Sequence, residues 1–208
     1  MRPAILALAL AATPAMGEDV AGEFDYYVLS LSWSASWCTL EGDARDSDQC
    51  DPRHDHGFTL HGLWPQYEDG YPEFCAGGRD PSRAETGGMT DIMGSGGLAW
   101  HQWNKHGRCT GLSGPDYLRL SRVAYERVER PEVLRQIPRP LSVAPPVVEA
   151  AFLEVNADMV ADGITVTCRE GLLHEVRICL TRELEPRACG ADVIRDCPAS
   201  AVEILPIR

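Results

Sequence analysis

Tyr26-Tyr-Val-Leu-Ser-Leu-Ser-Trp33 alternates, with the β-branched and aromatic content of a core strand. After it comes a polar loop rich in Asp, Ser and Gly that carries Cys38 and Cys50. A second strand is read over 57–61, its C-terminal end delivering His61. Residues 66–97 are rich in Gly, Pro and acidic side chains and read as loop with short helical pieces. A helix follows over 98–106, ended by Gly107, a residue favoured at helix C-termini. An amphipathic helix over 115–130 comes next, and Pro145-Pro146 opens a third, running to about 158. Segments 163–168 and 172–180 flank Gly171 as a hairpin. Strands and helices mix without regular alternation, which predicts an α+β single domain: a central antiparallel sheet flanked by helices and stapled by disulfides. The chain has no internal repeat and no linker composition.

The 208 residues divide into an expected signal peptide, 1–17, and one domain, 18–208. Met1-Arg2 is a positive start, Ala4 to Ala12 an apolar run too short to span a bilayer, and Ala15-Met16-Gly17 offers the small residues of a cleavage site. No later stretch is apolar enough for a membrane span. The protein is therefore expected to be secreted or periplasmic. Eight cysteines fit an oxidising compartment, where an even count becomes disulfides, though spacing leaves their connectivity open. Net charge is −12, the opposite of a generic nucleic-acid binder. Any nucleic-acid substrate must then be held by a local cationic cleft within an acidic body.

Two segments gather ionisable side chains: His61-Gly-Leu-Trp-Pro65 and His101-Gln-Trp-Asn-Lys-His-Gly-Arg-Cys109. At about 100° per residue, His101, Gln102, Lys105 and His106 fall on one side of the 98–106 helix and Trp100 and Trp103 on the other, expected to pack into the core. This wall suits cleavage of RNA. The 2′-hydroxyl must lose a proton, the leaving 5′-oxygen must gain one, and charge on the non-bridging oxygens must be neutralised. Two histidines can act as base and acid, and a lysine with a further histidine can stabilise the charge. An ordinary solvated helix face is the bland alternative, weakened by the flanking tryptophans and the matching strand motif. His54 and His56 in Arg53-His-Asp-His56 invite a secreted metal-binding module that also uses His61, but no second ligand set accompanies them. His174 reads as a strand residue without a role. Arg108 reads as a cation complementing the helix end.

Phe58-Thr-Leu-His-Gly-Leu-Trp-Pro65 resembles the first active-site segment of the ribonuclease T2 family, and His101 to Cys109 resembles the second. The likeness extends to Tyr27-Val-Leu-Ser-Leu-Ser-Trp-Ser34 and Glu175-Val-Arg-Ile-Cys-Leu180. It implies transesterification of single-stranded RNA to a 2′,3′-cyclic phosphate and then hydrolysis to a 3′-phosphate. No metal or other cofactor takes part, base specificity is broad, and DNA is not a substrate. Carried over by position, His106 is the general base, His61 the general acid and His101 a phosphate ligand, while Lys105 stabilises the transition state. Trp64 offers a stacking surface for a base, and Tyr71 is a second candidate for that platform. The resemblance also implies the pairs Cys38–Cys50, Cys75–Cys109, Cys168–Cys197 and Cys179–Cys189. The chain is expected to act as a monomer. Two positions depart from the family. Gln102 stands where Glu is usual, so it can hydrogen-bond but carries no charge, which leaves open a catalytically impaired RNA-binding or toxin-like protein. Gln66 stands where some members place a base-contacting Asp, so no base preference follows.

Overall fold

The computed structural model describes residues 19–208, and the expected signal peptide lies outside them. Strands β1 (Tyr26–Trp33) and β2 (Phe58–Gln66), helices α1 (Gly96–Lys105) and α2 (Gly114–Arg127), strand β3 (Leu141–Val143), helix α3 (Pro145–Val155) and strands β4 (Ile164–Arg169), β5 (Leu172–Leu180) and β6 (Val202–Ile204) follow in that order, with short helical turns between them. The sheet runs β2-β1-β5-β6-β3, with β4 also on β5. Its pairings are antiparallel apart from one parallel contact of Leu172 with Glu203. This is the expected α+β architecture.

β1 is buried from end to end, and its alternation sorts the two faces of the sheet. Tyr27, Leu29, Leu31 and Trp33 enter the main core with Leu60, Trp103, Tyr117 and Phe152. Burial of each such side chain contributes roughly 1.5–3 kcal/mol. The other face is different. Tyr26 and Val28 form a small cluster with Cys179 and Val193, and beyond them Ser30 and Ser32 are buried polar residues. Ser30 pairs with Gly62 on β2 and Arg177 on β5, and Ser32 with Glu175. One face of a single strand is thus apolar core, and the other is the floor of a polar site.

The second strand does not stop at His61; it continues to Gln66. The β1–β2 register shifts between Ser30, opposite Gly62, and Leu31, opposite Leu60. His61 is the extra residue, so it sits in a β-bulge, a device that re-aims a side chain at the cost of one ladder position. The 98–106 helix begins two residues earlier than expected, capped by Ser95, whose hydroxyl accepts from Leu98 N–H at 3.1 Å. Gly107 does not end it by adopting a left-handed conformation, which falls instead to Gly111 (φ 77°). Gly107 answers a need for space: a Cβ there would lie 2.6 Å from Trp103 and 2.7 Å from Tyr117. All four expected disulfides are present. Cys75–Cys109 ties the segment after β2 to the turn that follows α1.

Candidate active site

The bulge and α1 bring the expected residues together. His61, Trp64, Gln66, Tyr71, His101, Gln102, Lys105 and His106 all line one open cavity of about 440 Å³, with Arg177 at its wall. Trp64 links the two motifs. Its ring meets His61 edge-on with centroids 5.2 Å apart and stacks on His106 at 5.3 Å. The Arg177 guanidinium lies over it at 5.3 Å, and its Nε1–H donates to Gln102 Oε1 at 2.7 Å. That last bond passes directly above β2. A Cβ on Gly62 would come within 2.4 Å of both Gln102 Oε1 and Trp64 Nε1, so only glycine fits between the strand and this hydrogen bond.

The two histidines that contact Trp64 are held differently. His61 Nδ1–H donates to Glu175 Oε1 at 2.5 Å, and the other carboxylate oxygen accepts from Arg177 at 2.7 and 3.0 Å. Glu175 is 1 % exposed. Burial alone would raise its pKa, but the hydrogen bond from His61 and the neighbouring charges of His61, Arg177 and His174 outweigh it, holding the carboxyl at about 2. His106 is buried, and its Nδ1 finds no hydrogen-bond partner among the described residues. Desolvation first, then the charges of Lys105, His61 and His101, push its pKa down to about 3. Nε2 is left as the nitrogen open to the cavity.

The remaining residues fill out the site. Lys105 Nζ lies 3.4 Å from Glu73 and 5.7 Å from the centroid of Tyr71, itself 47 % exposed. Gln66 is buried in the wall and donates to the Pro65 carbonyl at 2.9 Å. Gln102 is buried as well, its oxygen accepting from Trp64 Nε1–H. His101 is exposed on α1 and shares with His61 a second cavity of about 530 Å³, which His174 also lines.

Two expectations change on structural grounds. Trp100 is 42 % exposed, not core, beside a separate cavity lined by Pro81 and Arg83. Trp103 is fully buried as expected, its Nε1–H on Asp80 at 2.9 Å. Arg108 donates to the same Asp80 at 2.6 Å and to the Gly77 carbonyl at 3.0 Å, so it braces this corner of the fold. His54 and His56 stack at 5.4 Å on the protein surface loop, but among the described residues no group of three or more His, Cys, Asp or Glu side chains is arranged to hold a metal ion. Glu175 is the functional residue that the reading missed. Its trace lies in the pattern of β5, where Glu175 and Arg177 put two charges on one face of an otherwise apolar strand.

The Ribonuclease T2 family profile matches residues 24–189. A ribonuclease of Aeromonas hydrophila is 43% identical over 121 residues, 58% of this chain and 53% of that protein. Ribonuclease DdI of Dictyostelium discoideum is 32% identical over 45% of this chain and 43% of its own length. The chain thus spans about half the length of these curated relatives. Ribonuclease S-2 of Antirrhinum hispanicum is matched more fully, 32% identical over 201 residues, 85% of this chain and 77% of that one. Among solved structures, an RNase-related protein from Calystegia sepium superposes with a TM-score of 0.71 at 21% identity, covering 88% of this chain and 98% of that one, and so shares the fold. The breadth of the profile match and the length of the Antirrhinum alignment show that the chain belongs to the ribonuclease T2 family.

Proposed function

We propose that the protein is an exported endoribonuclease that cleaves single-stranded RNA without a metal, first by transesterification to a 2′,3′-cyclic phosphate and then by hydrolysis to a 3′-phosphate, with broad base specificity. The observation that carries this reading is the packing of His61 and His106 against one tryptophan in one open cavity. A neutral His106 with its proton on Nδ1 presents the Nε2 lone pair to the 2′-hydroxyl. Its depressed pKa of about 3 keeps it in that basic form through the acid range. His61, with Nδ1–H on Glu175, turns Nε2 toward the leaving 5′-oxygen and has a carboxylate to balance the charge of its doubly protonated form. His101 and Lys105 supply donors and positive charge for the non-bridging oxygens. Tyr71, the more open ring, takes the upstream base, with Trp64 behind it. The second cavity, on the side of His61 and away from His106, takes the leaving nucleoside.

The four disulfides fit an oxidising compartment, in keeping with export. The test is incubation of purified mature protein with RNA and with DNA in EDTA from acid to neutral pH, followed by end-group analysis. Cyclic-phosphate ends from RNA and intact DNA are expected, because DNA lacks the 2′-hydroxyl. Binding of RNA without products would overturn the reading in favour of a non-catalytic binder, and activity lost in chelator would overturn its metal-free chemistry.

A further inference from the structure

The second cavity is charged at its far end. His61 and His101 form its inner wall, shared with the site described above; Arg45 and Arg169 stand at its outer part, with Glu41 between them as its only acidic lining residue. Arg45 Nη2 donates to Glu41 Oε2 at 2.6 Å, and Arg169 Nη1 donates to Glu41 Oε1. Two guanidiniums share one carboxylate, so the group carries a net positive charge in a chain whose net charge is −12. Each guanidinium has five N–H donors and uses only one nitrogen on Glu41, and their side chains are 65% and 45% exposed.

The two arginines come from separate segments. Arg45 ends a short helical turn after the Cys38 bridgehead, and Arg169 ends β4. Arg169 pairs with Leu172, three residues along β5 from Glu175, the partner of His61. Three strand residues place it about 10 Å along the sheet from the acid end of the cleft. The cavity volume of about 530 Å³ is within the roughly 300–1,000 Å³ range of small-ligand sites.

We propose that Arg45 and Arg169 form a second phosphate-binding subsite, which takes the phosphate on the 3′ side of the leaving nucleoside. The inference rests on the ribonuclease reading and extends it: RNA is held at two phosphates, one on the histidines and one on the arginine pair. Guanidinium forks match the planar spread of phosphate oxygens, and paired charge-assisted bonds of this kind are the strong ones. Glu41 bridges the two arginines in the free protein, offsets their mutual repulsion and keeps the subsite from trapping product by excess charge.

The experiment compares kcat/KM for ApA with that for ApAp, which differs only by the added 3′-phosphate, at low ionic strength with chelator present. Wild type is expected to favour ApAp by about tenfold, the size of one good charge-assisted contact, and the preference should shrink at high salt. In R45Q/R169Q the two substrates should converge to within about twofold, with circular dichroism confirming the fold. Should that variant not fold, R45Q alone removes the more exposed guanidinium and should cut the preference to about threefold. Equal kcat/KM values in wild type, or a preference that survives in the folded variants, would overturn the subsite while leaving the ribonuclease reading intact. Cleavage of neither substrate would overturn the ribonuclease reading and this inference with it.

Discussion

His61 and His106 both pack against the same indole, one edge-on and one stacked, and the protein treats them in opposite ways. His61 is one-third exposed and its Nδ1 is tied to a buried carboxylate that Arg177 also holds. His106 is sealed from solvent at Nδ1 without a hydrogen-bond partner among the described residues, and is driven toward its neutral form first by burial and then by the charge of Lys105. Two identical side chains are thus prepared for different tasks by what surrounds them. One has a counter-charge ready for its protonated state, and the other is kept as a free base. The asymmetry comes from physical surroundings alone, and under the proposed mechanism it suits His61 to the acid role and His106 to the base role.

The bluntest way to break this comparison is to delete either ring. His106→Ala and His61→Ala are each expected to lower the single-turnover cleavage rate of RNA by on the order of 10³–10⁴-fold, the contribution of a positioned acid or base. His101→Ala and Lys105→Ala should cost less, about 10²-fold. Comparable losses at all four positions would mean that the two rings hold no special place.

Glu175→Gln tests the partner instead of the ring. The amide keeps a hydrogen bond to His61 Nδ1 but loses the charge that balances a doubly protonated imidazole. We expect kcat to fall by about 10²-fold with KM little changed, since the carboxylate orients His61 and does not meet substrate. A rise in KM at constant kcat would place Glu175 in substrate binding and undo the distinction between the two histidines.

What the sequence shows of this site, and what it hides, follows the same division. β1 and the 172–180 strand have the expected bounds because their alternation is local. The histidines, Lys105 and Gln102 converge as expected because helix periodicity fixes which residues share a side. The bulge at His61 was not legible: register is set by the pairing of β2 with β1, and nothing within 57–61 records it. Glu175 reaches His61 across 114 residues of chain, so its role appears only when the strands are laid side by side. Trp100 and Trp103 share a side of α1, but periodicity cannot say how far the neighbouring loops extend to cover it. They cover Trp103 and leave Trp100 open.

The burial of a neutral His106 also has a consequence for stability. Its pKa falls from the ordinary 6.5 to about 3 on folding. Between those values the unfolded chain binds more protons, so stability drops as pH falls through 6.5 and the loss is complete only below about 3. For one such group this amounts to about 2 kcal/mol between pH 7 and pH 5. His106→Phe keeps an aromatic ring against Trp64 and removes the titration, and no Nδ1 hydrogen bond is lost with it. Urea unfolding at the two pH values should show a shallower pH dependence in the variant by about that amount. Equal slopes would mean that the ring is not held neutral by the fold.

The smallest and most selective change is Gln102→Glu. One carboxylate oxygen can accept from Trp64 Nε1–H as Gln102 Oε1 does now, so the packing over Gly62 survives. What changes is charge. A carboxylate at this position on α1 opposes the part of the depression that comes from the charges of Lys105, His61 and His101 while leaving the larger part, burial, in place. The His106 pKa should rise, so the ring loses its basic form at a higher pH. The acid limb of log kcat/KM should accordingly move toward neutral by about half a pH unit to one unit. Gln102 in this chain would then extend activity further into acid than a glutamate permits. His61 already has its carboxylate in Glu175, so the limb set by the acid should stay where it is. A shift of both limbs together would mean that the two rings feel one shared field; a profile identical to wild type would mean that the charge at position 102 does not reach His106 at all.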